Sequence, residues 1–338
     1  MRRWNRHALL WPVLTGLLLL LANLFFGSTS LSFGEVAGAL LHPGAASETT
    51  RTILFDLRLP SVITALLAGS ALAVCGLLMQ TIFNNPLADP SILGVSSGAS
   101  LGTAIVVLWL GGTLGSGMLA PSGYMLATLF AWIGAGLVIA FLLLCHAVLR
   151  STTAVLISGV LIGFMVTALT ALLSFFSTVQ GLHSFMVWTL GSFQNVTWDR
   201  MWLFATLLCA CFLAVSFLAK PLNVLLLGEA YAQNAGFRVR RIRMVVLVIT
   251  GLLTATVTVY CGPISFVGLF VPHAVRFMMR SSNHRQLLPA TLLWGANTAM
   301  LCHWLALWSS QTGVLPVNTI TPLLGVPMAL YLIVRRND

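Results

Sequence analysis

The chain has 338 residues, of which 58% are hydrophobic and only 7% charged, with a formal net charge of +10 and a mean hydropathy of +0.97. Soluble domains carry about 45–50% apolar and about 25% charged residues, and so few charges cannot cover a 36.3 kDa globule in water. This excludes a soluble enzyme and a disordered chain, and leaves lipid as the natural solvent. The basic excess lies in short runs between apolar stretches and forms no stripe, which argues against nucleic acid as a partner.

A bilayer core about 30 Å thick takes about 20 apolar residues per helix. In chain order the candidate spans are 9–26, 61–81, 92–111, 124–147, 154–177, 201–219, 244–261, 263–279, 289–308 and 318–334. The expected fold is therefore all-α: a polytopic membrane protein with about ten transmembrane helices, forming a single transmembrane domain over 1–338. The first span follows Arg2, Arg3 and Arg6 with no small-x-small cleavage site behind it, so it reads as an anchor. With a cytoplasmic N-terminus, 14 of the 17 lysines and arginines lie inside, and only Arg51, Arg58 and Arg200 lie outside. That bias fits ten spans with both termini cytoplasmic, in an inner membrane. Gly98 and Gly102, Gly111 and Gly115, and Gly159 and Gly163 are spaced for close helix–helix approach. The six cysteines sit in or beside apolar stretches without a C-x-x-C, so they read as buried free thiols and not as a disulfide framework or a zinc site.

The segments with chemical potential also follow chain order. Asn84-Asn85-Pro86-Leu87-Ala88-Asp89-Pro90 joins the second and third spans; taken alone it is a tight turn. Ser151-Thr152-Thr153 opens the fifth span as an N-cap cluster. The loop 220–243, the longest inside connection, reads by itself as a solvated positive segment. Lys220 is the only lysine and Pro221 follows it, so the chain has no phosphate-binding loop of its own. No H-E-x-x-H and no carboxylate cluster occurs, so neither a catalytic residue nor a metal ligand is expected. The alternative, an ion-coupled secondary transporter, wants intramembrane acids that are nearly absent. Helix is broken again at 262–268, ahead of Val271-Pro272-His273-Ala274-Val275-Arg276. Interrupted helices in both halves point to a transport pathway. His273 and Arg276, one turn apart, read as helix-end hydrogen-bonding groups in preference to substrate ligands.

At this point the residues resemble a family. Leu57-Arg58-Leu59-Pro60, then Asn85-Pro86-Leu87-Ala88-Asp89-Pro90 with Leu93-Gly94-Val95, then Leu227-Gly228-Glu229, and then 262–276 with Gly262, Pro263, Pro272, His273 and Arg276, occur in the order of the FecCD-type permeases. Leu323-Leu324-Gly325-Val326-Pro327 adds a weaker block. These are permease subunits of ABC importers for iron-siderophores, haem and cobalamin.

The resemblance implies a cobalamin-importer-permease-like fold and a second permease subunit, identical or homologous. It also implies two ATPase subunits that hold ATP and Mg, and a periplasmic substrate-binding protein. It places Gly228, Glu229, Gly236 and Phe237 in the ATPase coupling helices and Thr152 and Thr153 at a cytoplasmic gate. The chain departs from the family at Ser61, His303, Leu307 and Val314, where ionisable residues are usual. Docking of the binding protein should then lean on Arg58 and Arg51, or on non-ionic contacts around His183 and Trp188.

Overall fold

The computed structural model describes residues 9–27, 29, 31–42, 44, 46–109, 121–149, 152–308 and 314–336, without the side chains of 121–124, 152–153, 308 and 329–336. Every regular element among the described residues is helical: α1 (Leu10–Phe25), α2 (Phe33–Leu41), α3 (Glu48–Arg51), α4 (Leu59–Ile82), α5 (Val95–Ala104), α6 (Pro121–Leu149), α7 (Thr152–Phe175), α8 (Val179–Thr189), α9 (Trp198–Ser216), α10 (Ala219–Leu225), α11 (Glu229–Asn234), α12 (Val239–Cys261), α13 (Val267–Met279), α14 (His284–Trp308) and α15 (Val317–Arg336). Each of the ten expected segments falls on one of them. By length and composition, the helical stretches 48–82, 125–149, 154–175, 198–216 and 239–261 can each cross a bilayer. Three more apolar helices, α1, α13 and Val95–Trp109, are shorter.

The second span begins earlier than its hydropathy suggests. Helix runs unbroken from Glu48 into α4, through a π-helical stretch over Thr52–Arg58. Pro60 explains the widening: it has no N–H, and its ring crowds the carbonyl four residues back. Leu59 N–H accordingly bonds back five residues to Leu54 O. The third span is likewise ten residues of α5 followed by a π-helical Ile105–Trp109. The short α2 begins at a capping box in which Ser32 and Glu35 exchange side-chain and backbone bonds.

At the centre of the molecule α4 packs against α12, α13 and α14. Small residues permit this. A Cβ at Gly76 would lie 1.8 Å from Gly268 O, and one at Gly69 would lie 2.3 Å from Gly295 O. The expected glycine contacts are present: Gly98 and Gly102 face α6 backbone at Gly134 and Phe130, and Gly159 and Gly163 face Gly94. Gly111 and Gly115 lie outside the described residues. Polar side chains then tie helix to helix. Asn297 of α14 donates to Pro12 O at 2.8 Å and to Thr15 Oγ1 at 2.7 Å on α1. Asn23 of α1 donates back to Met300 O at 3.1 Å.

Candidate functional site

The two broken segments meet inside the bundle. Between α4 and α5 the chain is non-helical from Asn84 (φ 45°) to Gly94 (φ 77°). Its polar groups are satisfied locally: Asn85 Oδ1 accepts Leu87 N–H at 2.9 Å, and Asp89 Oδ1 accepts Ser91 N–H at 2.8 Å and the Ser91 hydroxyl. Asp89 and Pro90 are buried, so this irregular backbone is covered by protein, the condition under which it is tolerated at membrane depth. The other Asp89 oxygen lies over Gly268, where a Cβ would sit 2.2 Å away. Gly268 belongs to the first turn of α13, the positive end of that helix's dipole.

Pro272 completes the junction. It is buried inside α13 and cannot donate to the Gly268 carbonyl four residues earlier. Gln80 of α4 takes up that acceptor, donating through Nε2 to Gly268 O at 3.3 Å and to Leu269 O at 3.1 Å. With its amide so oriented, Gln80 Oε1 accepts Arg276 Nη1–H at 2.5 Å. A polar cavity of about 440 Å³ opens beside this bond, lined by Asn84, Asn85, Pro86, His273, Arg276 and His284 among others. His284 is pinned between Asn223 Oδ1 (2.9 Å from Nδ1) and Thr81 Oγ1 (2.9 Å from Nε2). Asn223 Oδ1 also accepts His284 N–H, so Nδ1 is the protonated ring nitrogen, and Nε2 faces the Thr81 hydroxyl, which also reaches Leu77 O at 2.8 Å. Thus the Asn-Pro block and the Pro-His-Arg block, far apart in sequence, line one site. Gln80, the residue that joins them, carried no motif; its only sequence signal was an amide in an apolar helix.

On the other side of the segment 84–94 lies an open groove of about 410 Å³. Ser91, Ser96, Ser97 and Ser100 form one wall, and Thr167, Thr170 and Ser174 of α7 form another. Pro263 and Ser265 close one end. No lining residue is charged. The α7 hydroxyls bond back to their own helix, Thr167 to Gly163 O at 2.8 Å and Thr170 to Val166 O at 3.0 Å. Their lone pairs therefore face the groove without an unsatisfied donor. Gly262 (φ 82°) ends α12 so close to the α8–α9 turn that a Cβ would meet Trp188 O at 2.5 Å, which only glycine avoids.

At the end of the bundle where α4 finishes, α10 and α11 form a short angled pair. Gly228 (φ 105°, ψ 154°) stands in a region open only to glycine. Beyond α11, Gly236 (φ 82°) donates to Gln233 O and Phe237 donates to Ala232 O, both at 2.9 Å. These are the two bonds of a Schellman cap. Ala232 is buried and Phe237 packs on the main core, so the C-terminal half of α11 is held against the bundle. Glu229 is exposed and pairs with Arg243 of α12. Arg243 was one of five basic residues in the loop 220–243, and nothing in its spacing singled it out.

The opposite end corrects one expectation. Arg58 is not a rim cation: it is buried, donating to Leu24 O (2.6 Å), Phe25 O (3.3 Å) and Thr29 O (2.6 Å). The π-helical turn directs its side chain onto the C-terminus of α1, where helix carbonyls lack partners and the dipole is negative. Gly27 admits it, since a Cβ there would lie 2.7 Å from Nε. Arg51 is exposed. His183 is exposed too, but Trp188 is buried and donates to Val259 O at 3.0 Å, so it is a core residue. Ser61 and His303, noted separately as departures, face each other: His303 Nε2 lies 3.1 Å from Ser61 Oγ, which itself donates to Arg58 O at 2.8 Å. Leu307 is buried and Val314 exposed. Thr152 and Thr153 open α7, but their side chains lie outside the described residues.

Comparison with known proteins gives this arrangement its relatives. The chain is 35% identical over 321 residues to the vitamin B12 import system permease protein BtuC of Klebsiella pneumoniae, covering 94% of this chain and 92% of that one. It is 35% identical over 336 residues to BtuC of Salmonella paratyphi A, covering 99% and 98%. Among solved structures, an inward-facing metal-chelate type ABC transporter superposes with a TM-score of 0.82 at 27% identity, over 97% of this chain and 98% of that one. PsaBC from Streptococcus pneumoniae, at 16% identity and a TM-score of 0.57 over 83% of this chain and 92% of that one, shares the fold. The model of the FecCD transport family matches residues 14–335. This protein belongs to the FecCD transport family.

Proposed function

We propose that the chain is the translocation subunit of an ATP-driven importer that moves a bulky iron chelate, haem or cobalamin inward across a bacterial inner membrane. It works with a second permease subunit, identical or homologous, with two ATPase chains at the α10–α11 end and a periplasmic binding protein at the other. The observation that carries this reading is the α10–α11 pair: a helix fixed by two glycine conformations and a Schellman cap, with Glu229 and Tyr231 exposed at the end of the bundle. A helix held so firmly yet covered by so little of its own chain suits contact with a second protein. ATP and Mg belong to that partner, because this chain lacks a phosphate-binding loop. The names of the relatives, and an uncharged hydroxyl-lined groove beside the broken helices, support a polar metal chelate or corrinoid as cargo. The distribution of arginine supports cytoplasmic termini. Arg51 and His183 are the exposed groups offered to the binding protein, and Thr152 and Thr153 the gate.

The test is uptake into proteoliposomes containing the chain with its ATPase chain, using cyanocobalamin, haemin and a ferric hydroxamate as cargo. Accumulation that requires ATP and the binding protein is expected for at least one of them. Uptake driven by a proton or sodium gradient, without nucleotide, would overturn the reading in favour of a secondary transporter.

A further inference from the structure

One side chain ties the coupling end to the rest of the bundle. Arg243, in the second turn of α12, donates through Nη2 to Glu229 of α11 and through Nη1 to His146 Nε2, at 2.6 Å, near the end of α6. Arginine donates and never accepts, so His146 Nε2 is the acceptor and Nδ1 holds the ring proton. The two ends of this chain of contacts differ in access: the Arg243 side chain is 14% exposed and that of Glu229 is 53%. Beneath the Arg243–His146 contact lies a cavity of about 20 Å³, lined by Phe83, Leu142, Val155 and Leu247 of α4's end, α6, α7 and α12. It is large enough for about one water molecule. His146 stands one turn before the end of α6, and α7 begins at Thr152.

We propose that Arg243 is the positioning residue that passes movement of α11 to the α6–α7 connection. The inference rests on the coupling reading of α10–α11. Glu229, the exposed member, is the one a partner can reach, and an exposed ion pair is readily exchanged for another cation. Once Glu229 turns to a partner's cation, Arg243 is left as a largely buried charge with His146 alone. An uncompensated buried charge is costly, so the guanidinium either moves with Glu229 and releases His146, or stays and is held by His146. Either outcome changes what holds the last turn of α6, which gives the contact the two arrangements that coupling requires.

The experiment uses the permease–ATPase complex in proteoliposomes, with a cysteine at position 153 (Thr153→Cys) in a background whose exposed Cys209 is replaced. An impermeant thiol reagent reads its accessibility with and without ATP. In the parent background labelling should change at least five-fold between the two states. In His146→Leu the change should fall below two-fold while ATP hydrolysis stays within two-fold of the parent. Arg243→Lys should fall between them, because one ammonium cannot grip both partners as the fork does. Should Arg243→Lys fail to accumulate in the membrane, His146→Leu decides alone, since His146 is partly exposed and leucine suits an apolar helix. A parent-like labelling change in His146→Leu overturns the proposal, as does a parent background with no nucleotide-dependent change. Gly236→Val separates the two readings. If it leaves ATPase binding intact, the coupling reading falls and the proposal with it; if it weakens ATPase binding while His146→Leu behaves as the parent, only the proposal falls.

Discussion

α4 and α7 are both 24 residues long and equally apolar, and neither has a marked polar face. Yet the most apolar stretch of the helix containing α4 is 83% buried, against 28% for that of α7. The difference is in where their polar atoms bond. On α4, Ser70 donates to Leu292 O of α14 at 2.9 Å, Gln80 to α13, and Ser61 and Thr81 meet His303 and His284. On α7, Ser158, Thr167, Thr170 and Ser174 bond only to carbonyls of their own helix. In a bilayer, lipid tails are as apolar as leucine, so hydrophobicity does not sort helices into core and surface. Close glycine contacts and hydrogen bonds between helices do. α4 is a frame, while α7 is left free to meet lipid, a second copy or the cargo.

The comparison breaks most visibly at glycine. Gly76→Ala forces a methyl into the Gly268 backbone, which cannot yield as a flexible side chain would. A loss of about 3 kcal/mol is expected, seen as a large fall in thermal stability in detergent. Gly136→Ala on α6, where a Cβ meets nothing within 4 Å, should leave the midpoint unchanged. Equal effects of the two would refute the distinction.

Arg58→Met is expected to be next. It strips two carbonyls at the end of α1, and that of Thr29 beyond it, of their charged donor, for about 2 kcal/mol of stability. Arg51→Met should stay within about 0.5 kcal/mol and alter only binding-protein association. Were Arg58→Met to weaken docking at full stability, Arg58 would be a rim residue after all.

How far the sequence told these regions apart depends on the distance between partners. The long apolar helices, the small-residue contacts of Gly98, Gly102, Gly159 and Gly163, and the turn at 84–90 were legible, because each is a local property of size, apolarity or proline; the short α2 and α8, and the extension of the break to Gly94, were not. The burial of Arg58 was not. Its position at the end of a span reads as a rim charge, and the carbonyls that hold it come from a helix 33 and 34 residues earlier. Ser61 and His303 are 242 residues apart, and each alone looked like a loss of charge. Gln80 was invisible for a related reason. Pro272 announces a freed carbonyl, but which side chain answers it depends on how α4 and α13 pack.

On α7 polar substitutions should cost little stability. Thr167→Val and Thr170→Val together remove only bonds internal to the helix, so thermal stability should shift by no more than about 0.5 kcal/mol. Uptake should nevertheless fall, because the groove loses two hydroxyls. A large loss of stability would show that α7 belongs to the frame.

The most direct test of the account is the binding of the ATPase chain to the solubilised protein, comparing the parent with a Gly228→Val/Gly236→Val variant. Valine cannot hold either backbone conformation, while α4, α12 and α13 are untouched. The account predicts at least ten-fold weaker ATPase binding at an unchanged thermal midpoint. Undiminished binding, or weaker binding only alongside melting of the whole bundle, would contradict the claim that α10–α11 is a separately built docking element.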